Sequence, residues 1–185
     1  YVLESLDIPY MVVGGFAAIL YGQPRLTIDV DIVVDMKWHH VEPFVAAFPI
    51  PDYYASEEGI RDSLQRRYPC NVIEPTTGAK VDLVPLPRDP FTRASFDRRQ
   101  RLTYDQEGHS ATFIVPEDII VAKLVAYGKT ESDKHLQDAQ SVLMMQWGEL
   151  DLDLIRRGAI TAGVLEPFDR LLEAVRREIG EGGEA

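Results

Sequence analysis

Cysteine is nearly absent from this chain of 185 residues: Cys70 is the only one. A lone cysteine cannot close an internal disulfide, which excludes a disulfide-stapled scaffold and predicts a reducing, cytoplasmic setting. The four histidines, His39, His40, His109 and His135, show no zinc-type spacing with a cysteine. Basic residues are also scarce, 19 Lys and Arg against 30 Asp and Glu, for a formal net charge of −11. Such a chain repels polyanions, so extended nucleic-acid binding is not expected. No apolar run reaches the length of a membrane span, and no membrane association is expected. No positively charged, apolar-centred leader opens the sequence, which begins at Tyr1. Internal repeats are missing too. The one compositionally biased stretch is the Gly/Glu-rich end, residues 180–185, expected to be a flexible tail.

What is present is a core. An apolar content of 45% fits a folded domain, or a catalytic core with a small helical appendage. The first half alternates strand-like and helix-like segments. Tyr10–Val13 reads as a short buried strand, Gly14-Gly15 as a break, and Phe16–Tyr21 as a helix stopped by Gly22. Ile28–Val34 is a β-prone run, and Trp38–Phe48 reads as helix. Pro49–Gly59 reads as a loop leading into a polar helix over Ile60–Arg67. Asn71–Glu74 and Ala79–Val84 predict a hairpin around Thr76-Thr77-Gly78, and Gln100–Tyr104 with Ala111–Val115 predict another. After Pro116 the pattern turns helical: Glu117–Tyr127, Asp133–Trp147, Asp151–Arg157 and Glu166–Ile179. The expectation is an α+β fold: a core over residues 1–105, a hairpin strand and helical region packed on it over 106–179, and the tail over 180–185.

The chemistry lies in Ile28-Asp29-Val30-Asp31-Ile32-Val33-Val34. Strand side chains alternate, so Ile28, Val30, Ile32 and Val34 share a core face. Asp29 and Asp31 share the other, about 7 Å apart along the strand. Two adjacent carboxylates repel and lose hydration in a folded protein, costs that a divalent cation relieves. Magnesium (or manganese) suits a few carboxylates plus phosphate oxygens. A third acid, Asp82, sits inside the apolar strand Lys80-Val81-Asp82-Leu83-Val84. If that strand lies beside the first, the three acids converge. Two ions roughly 4 Å apart could then serve in-line transfer from a nucleoside triphosphate, with Asp82 as general base or orienter of the attacking hydroxyl. Gly14-Gly15, between a strand and a helix start, supplies backbone that can approach a phosphate and free N–H groups to meet it.

Taken together, Val13-Gly14-Gly15, thirteen intervening residues, and Asp29-Val30-Asp31-Ile32 resemble the signature of the polymerase-β-type nucleotidyltransferases, with Asp82 matching the superfamily's third acid. Tyr21-Gly22-Gln23-Pro24-Arg25-Leu26-Thr27 is similar to bacterial minimal or AbiEii-like members, which often carry an Arg and a Thr there. Pro116-Glu117-Asp118-Ile119-Ile120-Val121-Ala122-Lys123-Leu124, followed by Lys134 and Asp138, resembles their helical part. The likeness runs discontinuously from Tyr10 to Leu143. Gly15 stands where many members have Ser, which leaves phosphate contact to backbone N–H groups.

The resemblance implies a nucleotidyltransferase-like mixed sheet flanked by helices, followed by a C-terminal helical region. It implies an enzyme that moves a nucleoside monophosphate from an NTP such as ATP to a hydroxyl of a protein, RNA or small molecule, releasing pyrophosphate. A toxin–antitoxin or phage-defence role follows from the same likeness, with an antitoxin or other protein as partner. Asp29, Asp31 and Asp82 are the expected catalytic and metal-binding residues. Gly14, Gly15, Arg25, Thr27 and Lys123 are the expected nucleotide-binding set.

Plainer readings stand beside these. Asp29 and Asp31 could be a solvated strand face, Asp82 a structural acid paired with Lys80 or Arg25, and Gly14-Gly15 only a tight turn. Arg25 could neutralise the acids instead of meeting phosphate. Lys123 interrupts an apolar helix face and could snorkel to a triphosphate or to plain solvent. Lys134 and Asp138 are spaced for a helix ion pair. Arg88, Arg93, Arg98, Arg99 and Arg101 could meet an anionic acceptor or form a solvated face. The alternative function is a non-catalytic nucleotide- or protein-binding module on the same scaffold.

Overall fold

The computed structural model describes residues 1–182, which form two compact units. One comprises Tyr1–Phe16 and Leu26–Phe113; the other comprises Ala17–Arg25 and the residues from Ile114 onward. Residues 183–185 of the expected tail lie outside the described residues.

The elements run in this order: α1 (Val2–Ser5), β1 (Tyr10–Val13), α2 (Gly14–Tyr21), β2 (Asp29–Val34), a 3₁₀ turn (Trp38–His40), α3 (Val41–Ala46), β3 (Tyr54–Ala55), α4 (Glu57–Arg66), β4 (Cys70–Glu74), β5 (Ala79–Pro85), α5 (Pro90–Arg98), β6 (Gln100–Thr103), β7 (Ser110–Phe113), α6 (Pro116–Thr130), α7 (Asp133–Met145), α8 (Leu152–Ala162) and α9 (Leu165–Gly182). The first unit is a mixed sheet of seven strands in the order β3-β4-β5-β2-β1-β7-β6. β1 runs antiparallel to β2, while β2 and β5 are parallel. Both expected hairpins form, as β4–β5 and β6–β7. The Glu74 carboxylate fixes the first turn by accepting from the Thr76 and Thr77 amides at 2.9 Å.

One sheet face carries Val12, Ile32, Val72, Val81 and Leu83, which with Phe44 and Phe48 line an apolar cavity of about 340 Å³. The other face carries Met11 and Val33 at one end, where the α5 residue Ser95 donates to the Met11 sulfur at 3.9 Å. Further along this face lie Asp29, Asp31 and Asp82. The second unit is helical. Its core gathers Ile119, Ile120 and Leu124 of α6, Val142 and Leu143 of α7, Ile155 of α8 and Phe168 and Val175 of α9, all buried.

Helix boundaries follow capping chemistry. Ser56 and Asp89 accept from the Gly59 and Thr92 amides at 3.0 and 2.7 Å and start α4 and α5. Asp151 does the same for α8, accepting from Leu154 at 2.9 Å, and Gly163 ends that helix with φ 73°.

Several expectations needed correction. Ile28 is not on the core face: the ladder begins at Asp29, and Ile28 is 74% exposed. The segment read as one helix over Trp38–Phe48 is a 3₁₀ turn plus α3; the Lys37 amide donates to the His40 ring at 3.1 Å, closing the first turn locally. Gly14 and Gly15 are the first residues of α2, not a break before it. The expected loop over 49–59 holds the edge strand β3 and the start of α4, and the segment after Arg88 holds α5. The tail expected from Gly180 is helical to Gly182.

Candidate active site

Three acids reach one face because of two registers. Val13 of β1 pairs with Asp31 of β2, and Asp31 pairs with Asp82 of β5, so Asp31 and Asp82 sit side by side on adjacent strands. Asp29 lies two residues before Asp31 and therefore on the same face. Its partner across the ladder is Lys80, which lies two residues before Asp82. The strand at Ala79 thus lies beside the strand at Asp29, as the acid pattern required.

Lys80 stands between two of the acids. Its ammonium donates to Asp82 Oδ2 at 2.8 Å and lies 3.9 Å from Asp29 Oδ2. The hydrogen bond to Asp82 holds the lysine above its ordinary pKa. The pairing foreseen for a structural Asp82 is therefore present, but the same ammonium also approaches Asp29. The site is open: the Asp29 side chain is 53% exposed and that of Asp82 is 23% exposed.

Gly14 closes the other side of Asp31. Its φ is +66°, a conformation that side-chain-bearing residues rarely adopt. A Cβ built there would stand 1.9 Å from Asp31 Oδ2, so the carboxylate lies directly on the glycine backbone at the start of α2. Sequence reasoning placed close approach at the Gly14-Gly15 pair in general terms; the tertiary packing makes Gly14 the position where a side chain has no room. Thr27 lies next to this group, its hydroxyl donating to the Asp29 carbonyl at 3.3 Å.

Arg25 and Lys123 come together in the second unit, on Asp138. Arg25 Nε and Nη2 each donate at 2.8 Å to the two carboxylate oxygens, and Lys123 Nζ donates to Oδ2 at 2.6 Å. Lys123 and Asp138 are both buried. Burial pushes the Asp138 carboxyl up, but the Arg25 and Lys123 hydrogen bonds outweigh it and hold the group below its usual value. Lys123 thus does not snorkel, and Asp138 is held by Arg25 and Lys123 where an ion pair with Lys134 was the simple expectation. Burial, then the nearby Lys123, push the pKa of the His135 ring below its ordinary value. No local sequence signal reveals the trio, since Arg25 and Asp138 are 113 residues apart.

Of the arginines after β5, Arg99 stacks over the Phe96 ring at 4.0 Å and donates to the Phe96 carbonyl. Arg101 pairs with Glu4, while Arg88 and Arg93 are exposed.

Hard carboxylate oxygens on one open face are a donor set suited to magnesium or manganese. As the side chains stand, no three His, Cys, Asp or Glu among the described residues close on a common ion position. Asp29 and Asp82 are arranged around the Lys80 ammonium, itself a cation standing between two prospective ligands. The donor chemistry of this face suits a divalent cation, and two of its acids, Asp29 and Asp82, face the Lys80 ammonium.

No protein-family model matches this chain, and no curated protein sequence matches it. Among solved structures, it is similar to an antigenic nucleotidyltransferase-like protein from Paracoccidioides brasiliensis. The TM-score is 0.53 at 20% identity, covering 94% of this chain and 87% of that one. At that identity the likeness concerns the fold: the chain has a nucleotidyltransferase-like fold, a mixed sheet flanked by helices with further helices at its C-terminal end. No helix among the described residues is long and apolar enough to cross a membrane.

Proposed function

We propose that this chain is a divalent-metal-dependent nucleotidyltransferase that moves a nucleoside monophosphate from an NTP to a hydroxyl acceptor and releases pyrophosphate. The observation that carries the reading is the register placing Asp29, Asp31 and Asp82 on one sheet face, with Asp31 resting on the Gly14 backbone. When bound, magnesium or manganese would supply the positive charge that offsets the polyphosphate and favours ionisation of the acceptor hydroxyl.

The residues of the chain do the rest. Asp29, Asp31 and Asp82 would hold the cation. Asp82 orients the acceptor hydroxyl and takes its proton as the new oxygen–phosphorus bond forms at the α-phosphate. The bond from the α-phosphorus to the bridging oxygen breaks, and the electron pair leaves with pyrophosphate. The first N–H groups of α2 have no partners within the helix and suit phosphate oxygens. Thr27, exposed and next to Asp29, is a further polar contact for the nucleotide.

By the resemblance, the setting is a cytoplasmic toxin–antitoxin or defence system with an antitoxin as partner. The test is incubation with each NTP labelled at the α-phosphate, magnesium or manganese, and cell extract. Label moving to protein, RNA or a small compound supports transfer and identifies the acceptor class. No transfer with any NTP and either metal, in wild-type protein that is folded, refutes it. One observation favours the non-catalytic alternative: Lys80 already neutralises Asp82, as it would in a site that no longer binds metal. Metal-independent nucleotide binding without transfer would decide for that reading.

A further inference from the structure

The side chain that organises the acid face is not an acid. Lys80 emerges from β5 opposite Asp29 and two residues before Asp82, so the strand geometry alone sends it onto the face of the carboxylates. Its ammonium is 2.8 Å from Asp82 and 3.9 Å from Asp29. An ordinary surface ion pair needs a single acid. This lysine approaches two, and both are prospective ligands of one cation. An ammonium is a compact point charge with three donors on a flexible stem, able to meet two carboxylates and to leave them. Among the described residues no three carboxylates converge on a shared ion position, and two of those on this face, Asp29 and Asp82, lie within 4 Å of the lysine.

We propose that Lys80 is a resident counter-ion that holds the cation position between Asp29 and Asp82 and must be displaced when a divalent ion enters. The inference rests on the metal-dependent reading above and adds a regulatory element to it. In the metal-free protein the ammonium relieves the repulsion among the acids, so the site is stable while empty of nucleotide. A divalent ion carries twice the charge but must displace the lysine, which raises the metal concentration at which the site fills. Metal arriving together with a triphosphate meets less resistance, because the displaced ammonium exchanges a carboxylate partner for phosphate oxygens. Lys80 therefore couples metal binding to nucleotide binding.

The test is a Mn²⁺ titration without nucleotide, following the electron paramagnetic resonance signal of free Mn²⁺, which disappears on binding. It compares the wild-type protein with Lys80→Met, Lys80→Gln and Lys80→Arg. Removing one positive charge about 4 Å from a dication should tighten Mn²⁺ binding on the order of tenfold in the Met and Gln variants. Lys80→Arg keeps the charge and should stay near wild type. Lys80 is partly exposed, so folding should survive, and melting curves check it for each variant. Equal or weaker Mn²⁺ binding in both neutral variants overturns the counter-ion role while leaving metal dependence intact. Mn²⁺ binding by none of the four proteins, at millimolar metal, overturns the metal reading and this inference with it.

Discussion

Replacing Gly14 with alanine adds one methyl group where the structure has no room for it. Two separate costs follow. Alanine at φ +66° occupies a left-handed conformation, at about 1–2 kcal/mol. The new Cβ would also lie 1.9 Å from Asp31 Oδ2, 2.6 Å from its Cγ and 2.8 Å from its Cβ. Rotating the carboxylate away relieves the first two contacts but not the third, so β2 or the start of α2 must shift; overpacking of this kind costs about 1–3 kcal/mol. The sum, about 2–5 kcal/mol, corresponds to a melting-temperature drop of roughly 5–15 °C in a chain of this size. The clash term can be isolated with a double-mutant cycle. Asp31→Gly removes the Cβ together with the carboxylate, so Gly14→Ala should be less destabilising in that background, by about 1 kcal/mol or more, with the backbone cost remaining. Denaturant or thermal unfolding monitored by circular dichroism measures all four proteins. A Gly14→Ala protein with wild-type stability, or a cycle showing no coupling, refutes the claim that Asp31 rests on the Gly14 backbone.

Three further outcomes are expected. Asp31→Asn removes one of the three carboxylates from the shared sheet face, so labelled transfer should fall by orders of magnitude while circular dichroism shows the protein folded; retained activity would make Asp31 a structural acid. Asp138→Ala leaves the buried Lys123 without its acid and should cost about 3–5 kcal/mol in unfolding free energy, because an uncompensated charge stays inside the helical unit; a loss under 1 kcal/mol would contradict that burial. The same carboxylate sets a pH dependence. Its folded pKa lies below its unfolded value, so its contribution is complete above the usual carboxylate range and fades as pH falls through the folded pKa. Melting temperature measured down through the acid range should therefore fall more steeply in wild type than in Asp138→Asn, and parallel curves would refute the depressed pKa.

Much of the fold was legible because it is written in local periodicity and punctuation. The unbroken apolar run Tyr10–Val13, the apolar alternation in Ala79–Val84, the turn residues at Thr76-Thr77-Gly78 and the proline opening α6 each specify their own element within a few residues. The paired aspartates were legible for the same reason, since a two-residue spacing fixes a shared strand face whatever the partner strand. Short or disguised elements were harder. β3 has two residues and α1 four, too few for a period to show. α5 carries the start signal Asp89-Pro90, but its arginines read as a charged patch.

By itself, then, the sequence determined which residues carry the acids, which segments become strands and helices, and that a glycine pair precedes the helix after β1. Those are properties of neighbours along the chain. Only the tertiary structure decided that Asp31 sits beside Asp82, that a methyl group on Gly14 would collide with Asp31, that Lys80 stands between two carboxylates, and that Arg25 and Lys123 share Asp138. Each of these depends on strand register or helix packing across tens of residues. Local preference is silent there, because register is chosen by burial over the whole sheet and a buried charge is placed by whichever partner the folded chain brings within hydrogen-bonding distance.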